Sequence, residues 1–171
     1  GVGRRDGLIH GRGALPFAAR FPRKPLLAMT VPIRRRTRAR ELAMQVLFQF
    51  DVRGDSYPKE IGATIAQLCA DDGSEKEPDA DMVAFATQLV EGTRQHREAI
   101  DVRLQGVTRN WDLKRMAIVD RNVLRMAVYE LMFCTDVPPK VAINEAIELG
   151  KKYSTANSGG FVNGILDRIR I

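Results

Sequence analysis

The segment Met116–Phe133, MAIVDRNVLRMAVYELMF, limits the folds open to this chain more than any other. Apolar residues fill every position in it except Asp120, Arg121, Asn122, Arg125 and Glu130. That is too many for one stripe of a 3.6-period helix, and a helix that is apolar nearly all round must be buried. The segment is too short and too charged to span a bilayer, which takes about 20 apolar residues. It is read as the central helix of a helical domain, and its few polar residues must emerge at an edge or be paired inside.

Helical periodicity covers most of residues 34–170. Ala39, Leu42, Ala43, Val46, Leu47 and Phe50 recur at i, i+3, i+4, i+7, i+8 and i+11, one amphipathic stripe that ends near Gly54. Pro58–Ala70 reads as a second helix, with Pro58 in its first turn. A third runs from about Ala80 to Gln95, and a fourth carries Ile100, Leu104 and Val107. Trp111 then reads as a plug between helical layers. Pro138–Pro139 ends the central helix and fixes an extended connection. A sixth helix follows, with Val141, Ala142, Ala146, Ile147 and Leu149 inward. After a Ser154–Gly160 loop, the last places Phe161, Ile165, Leu166 and Ile169 on one face. No stretch alternates as a half-buried strand does. The expectation is an all-α chain of about seven helices in two small helical bundles, with the acidic stretch Asp71–Asp81 as an exposed loop separating them.

Charge divides the chain unevenly. Residues 1–30, rich in Gly, Pro and Arg, contribute +5, and residues 31–40 add Arg34, Arg35, Arg36, Arg38 and Arg40 with no acid. From Glu41 onward the balance is −4, so the formal +6 describes the N-terminus and not the domain. Residues 1–30 show no sustained period and are read as a disordered basic extension, with Met29 as the natural start. Arginines at a helix N-terminus oppose the macrodipole, so their placement costs a few tenths of a kcal/mol each. A basic arm on a mildly acidic body suits a polyanion partner, and a solubilising start is the competing reading.

Chemistry is sparse. Cys69 and Cys134 are far apart with no flanking His or Cys, so they read as buried free thiols in a reducing compartment. His10 and His96 are isolated. There is no Gly-rich phosphate loop, HExxH or CxxC, and the acidic loop lacks the spacing of a calcium loop. Asp120, Arg121, Arg125, Glu130, Asn144 and Glu145 look like partners of one another. A binding protein is favoured over an enzyme, with no cofactor, no metal and no membrane segment, and cytoplasmic residence is the default.

RARELAMQVLFQ, LVEGT, W-x-L-x-R leading into VDRNVLRMAVYEL, then VPPKVAINEAIELGKKY and FVNGILD follow one another with ordinary spacings. In this combination the chain resembles the NusB family of bacterial transcription antitermination factors over about residues 33–169. Residues 1–30 have no counterpart, which makes residues 31–171 the NusB-like domain. The resemblance implies two small helical bundles. It also implies pairing with NusE, a small-subunit ribosomal protein, recognition of boxA RNA in ribosomal RNA leaders, and assembly into an antitermination complex on RNA polymerase.

The family's basic N-terminus contributes to RNA binding and maps onto Arg34, Arg35, Arg36, Arg38 and Arg40, with Thr37 interrupting the run. The region between the last two motifs suggests Lys151, Lys152, Tyr153 and Phe161. A basic and aromatic cluster forms there if the first and sixth helices are neighbours. For Phe161, which continues into an apolar stripe, core packing is the stronger reading. Two other readings stand beside this one. The RNA-recognition domain of a ribosomal RNA cytosine methyltransferase needs a methyl-donor domain beyond Ile171. A homodimer through an exposed helical face is the other.

Overall fold

The computed structural model describes residues 32–54, 57, 60–71, 79–108 and 110–169. Among them the order is α1 (Pro32–Arg53), α2 (Ile61–Asp71), α3 (Ala80–Gln95), α4 (Arg97–Val107), α5 (Ile118–Phe133), α6 (Pro139–Tyr153) and α7 (Ser158–Leu166), with a 3-10 turn at Leu113–Arg115. The described chain is all-helical, as the periodicity requires. The expectations for residues 1–30 and for most of the acidic loop fall outside the described residues.

Local chemistry sets the ends. α1 stops where Gly54 takes a positive φ of 65°, a left-handed cap that costs glycine little. Asp79 caps α3 by accepting hydrogen bonds from the amides of Asp81 (2.8 Å) and Met82 (3.4 Å). Pro138 is extended and Pro139 opens α6, where a missing N–H is harmless.

α1, α2 and α3 pack on one another as one bundle, and α4 to α7 form the second. α5 is the common element, lying against α1, α3, α4, α6 and α7. The bundles therefore meet around α5, and the change between them comes at His96, between α3 and α4. The acidic stretch connects α2 to α3 inside the first bundle and does not divide the two. Its polarity signals an exposed connection, but polarity carries no information about which helices the connection joins.

α1 departs from its one-stripe reading, because every residue from Ala39 to Gln49 is buried. It is enclosed by α2, α3 and α5, so its polar positions Arg40, Glu41, Gln45 and Gln49 are inside too. Arg40 is 2% exposed and forks onto Glu130 of α5, with Nε–Oε1 3.0 Å, Nε–Oε2 3.1 Å and Nη2–Oε1 2.7 Å. Burial pushes the Glu130 carboxyl above its ordinary range, and the Arg40 fork pulls it back.

At the other end of α1, Asp51 Oδ2 accepts from Arg121 Nη2 at 3.1 Å and Asn122 Nδ2 at 2.7 Å. Arg125 pairs with Asp101 of α4 at 2.7 and 2.9 Å. Arg121, Asn122, Arg125 and Glu130 of α5 are thus paired chiefly with α1 and α4 and not with one another as their shared segment suggests, while Asp120 Oδ1 is buried without a hydrogen-bond partner. Arg121 and Arg125 have no acid three or four residues away that takes up their charge, so their countercharges come from the helices they face.

Three further positions correct the sequence reading. Trp111 is 56% exposed, while Leu113 and Met116, turned inward by the 3-10 segment, fill the layer expected for it. Val141 is exposed, because the buried stripe of α6 runs through Ala142, Ala146, Leu149 and Gly150. α7 begins at Ser158, inside the predicted loop. There the Ser158 hydroxyl accepts from the Thr155 amide at 3.1 Å, and Gly159 admits the Lys151 stem, whose Cγ would lie 2.8 Å from an added Cβ. Cys69 and Cys134 are buried free thiols, as expected.

Removing one partner of a buried ion pair strands the other charge, which costs about 3–5 kcal/mol. Arg40→Ala is expected to lose stability on that scale in urea unfolding, and Arg40→Met/Glu130→Leu to recover most of it. A loss below about 1 kcal/mol for Arg40→Ala, the range of an exposed pair, is the contrary result.

Candidate nucleic-acid interface

The arginine run occupies the first turns of α1, and its members meet different fates according to the direction each takes from the axis. The side chain of Arg34 lies outside the described residues. Arg35 is exposed and its Nη1 stands 2.6 Å from Asp79 Oδ2, the cap of α3. Arg36, with a side chain 48% exposed, reaches Asp136 Oδ2 at 3.3 Å, and its guanidinium carbon lies 4.5 Å from the centre of the Phe85 ring. Arg38 bonds Glu41 Oε2 at 3.2 Å. Arg40 turns inward to Glu130 and is removed from the set that can touch a polyanion without unfolding. Its place in the arginine run gives no sign of this, since the buried partner lies on another helix.

The end of α6 converges on the same region. Lys152 Nζ donates to Glu41 Oε1 at 3.2 Å, and Thr37 Oγ1 donates to Glu145 Oε1 at 2.8 Å. The first and sixth helices are therefore neighbours, the condition on which the basic and aromatic cluster depends. Glu41, itself buried, gathers Arg38, Lys152 and the Tyr153 hydroxyl. Lys151 is exposed, with Glu148 at 3.3 Å. A groove of about 480 Å³ lined by Thr37, Glu41, Glu145, Glu148, Lys151 and Lys152 runs between α1 and α6.

Phe161 falls elsewhere. It is half-buried on α7, with its ring edge-on to Trp111 at 5.6 Å, in a hollow of about 630 Å³ that includes Gly160, Gly164 and Arg168. The structure thus brings Arg35, Arg36, Arg38, Lys151, Lys152 and Tyr153 to one edge of the fold and sets Phe161 beside Trp111. Phe85, Asp136 and Glu41 complete that edge. Sequence reasoning misses all three, because Phe85 reads as part of an apolar stripe and the two acids as ordinary surface charge.

A model of the NusB family matches residues 37–170. The chain belongs to the NusB family. The transcription antitermination protein NusB of Anaeromyxobacter dehalogenans (strain 2CP-1 / ATCC BAA-258) is 49% identical over 136 residues, which span 79% of this chain and 89% of that protein. T. maritima NusB has a similar structure, with TM-score 0.68 and 38% identity, over 82% of this chain and 92% of that one. A crystal structure of antitermination factors NusB and NusE in complex with dsRNA contains a chain 30% identical to this one. The match has TM-score 0.67 and covers 80% of this chain and 96% of that one. Among the described residues no helix is long and apolar enough to cross a membrane.

The chain's three tyrosines, Tyr57, Tyr129 and Tyr153, all titrate above the ordinary value of 10.0, in each case chiefly through burial. At Tyr153 the charge of Glu41 and the hydrogen bond to it push the same way, with Arg38 opposing. A raised folded-state pKa for a neutral acid means that the unfolded chain loses its protons first. The stability held below about pH 10 should therefore drain away as pH rises beyond it. Phenolate absorbance and helical circular dichroism are expected to change together in one alkaline transition. Tyrosines that ionise while the helix signal stays intact would contradict this burial.

Proposed function

We propose that the chain is a non-enzymatic RNA-binding adaptor of transcription antitermination. It pairs with NusE, captures boxA RNA of ribosomal RNA leaders, and joins the antitermination complex on RNA polymerase. The observation that carries the reading is the convergence of exposed cationic side chains from the start of α1 and the end of α6 on one edge of an otherwise acidic body. Kinship with NusB proteins, and with the NusB chain seen together with NusE and dsRNA, supports it. Relatives named as antitermination proteins, matched over most of their length, favour it over the methyltransferase reading.

Arg35, Arg36, Arg38, Lys151 and Lys152 contact phosphates, with Arg34 extending the strip toward the N-terminus. Guanidinium forks bind phosphate bidentately and stack on bases, and unstacked RNA bases pack on aromatic rings. Tyr153 orders the strip through Glu41, and Phe161 with Trp111 offers a second aromatic face. The carboxylates now beside each cation, Asp79, Asp136, Glu41 and Glu148, are replaced by phosphate oxygens where the pair is exposed.

Affinity for a single-stranded boxA oligonucleotide should fall steeply with salt. About five neutralised phosphates give a slope near −3.5 in log K against log salt, and removing any one of the cations should make the slope shallower by about 0.7. Arg35→Ala/Arg36→Ala/Arg38→Ala is expected to weaken binding and flatten the slope while retaining NusE in a pull-down. A flat salt response in the unaltered protein rejects the reading.

A further inference from the structure

We propose that Phe85 is a positioning residue for RNA capture, holding the Arg36 guanidinium ready for phosphate, and that Asp136 occupies the phosphate's place until RNA displaces it. This rests on the RNA-binding reading above.

An arginine on the first turns of a surface helix ordinarily samples many rotamers, and ordering it opposes binding. Arg36 is instead held by two groups from different parts of the fold. Phe85 of α3 lies beneath its guanidinium at 4.5 Å, and Asp136, in the turn between α5 and α6, bonds Nη2 at 3.3 Å. The two contacts differ in what they leave free. A ring engages the face of the guanidinium, so its N–H edge remains open to a phosphate. A carboxylate engages that same edge, so phosphate and Asp136 compete for it.

Neighbouring residues show why Arg36 is the releasable member of the run. Arg40, one turn further along α1, has its guanidinium 5.3 Å from the same Phe85 ring but is buried and bound to both oxygens of Glu130. The ring is therefore shared by an arginine that cannot leave and one that can, and it is itself packed against the core. Asp136 is 66% exposed and makes one long bond, so little opposes its displacement. Asp79, the partner of Arg35, also caps α3, so freeing Arg35 disturbs a helix end. Arg38 shares Glu41 with Lys152 and Tyr153.

The test is the affinity of the full chain, with NusE, for a single-stranded boxA oligonucleotide labelled for fluorescence anisotropy. Asp136→Asn is expected to tighten binding by up to about fivefold, the worth of an exposed pair. Phe85→Leu is expected to weaken it by about twofold to fivefold, and Phe85→Tyr to restore it. In an Arg36→Ala background both effects should vanish, which separates them from a general change of surface charge or packing. Thermal unfolding checks each variant, and should Phe85→Leu fail to fold, Phe85→Tyr and the surface change Asp136→Asn still decide. Unchanged or weaker binding by Asp136→Asn, or effects of either change that persist without Arg36, overturn the inference while leaving RNA binding intact. If the unaltered complex does not bind the oligonucleotide, or Arg36→Ala binds as well as the parent, the arginine reading itself is lost and this inference goes with it.

Discussion

The fork of Arg40 onto Glu130 is the contact on which the rest of this molecule depends. Both side chains are enclosed, so each charge is stable there only because the other is within hydrogen-bond distance. Such a pair tolerates little sliding between the helices that carry it. A second polar junction, Asp51 with Arg121, Asn122 and Arg125, lies eleven residues further along α1, or about 16 Å at 1.5 Å per residue. Successive residues of α1 thus meet earlier and earlier residues of α5, so the two helices run antiparallel and are pinned at both ends. Hydrophobic contact alone drives them together without choosing a register. The ion pairs choose it.

That register determines where the arginines go. With Arg40 drawn into the core, the residues before it on α1 emerge between the start of α3 and the end of α6. Arg35 then meets Asp79, Arg36 meets Phe85 and Asp136, and Arg38 meets Glu41. The cationic edge is therefore partly neutralised by the protein itself. Such self-pairing limits the electrostatic repulsion that a run of like charges creates and offsets the unfavourable placement of arginines at a helix N-terminus. The same weak pairs leave the edge open to a stronger anion.

Sequence reading reaches the architecture because periodicity is a local property. The apolar density of Met116–Phe133 marks α5 as central, and the bounds of α3 agree with the pattern from Ala80 to Gln95. It reaches the composition of the candidate edge as well, since Arg35, Arg36, Arg38, Lys151, Lys152 and Tyr153 do lie together. It errs where a residue's environment is supplied by distant chain. Size alone assigns Trp111 to the interior, yet the 3-10 turn sends Leu113 and Met116 inward instead. Arg40 groups with its neighbours in the run, although only Glu130, ninety positions on, distinguishes it.

The sequence by itself determined that the chain is helical, that α5 is buried, that charge is concentrated at the N-terminal side and that the family is NusB. All of these follow from spacing, composition or motif order. Only the tertiary structure decided that α1 is enclosed as fully as α5, which arginine serves the core and which serve the surface, and that Phe85 and Asp136 stand beside Arg36. Those outcomes depend on Coulomb and packing contacts between segments far apart along the chain. Such contacts exist only once the helices have a fixed register, and no local pattern of residues encodes it.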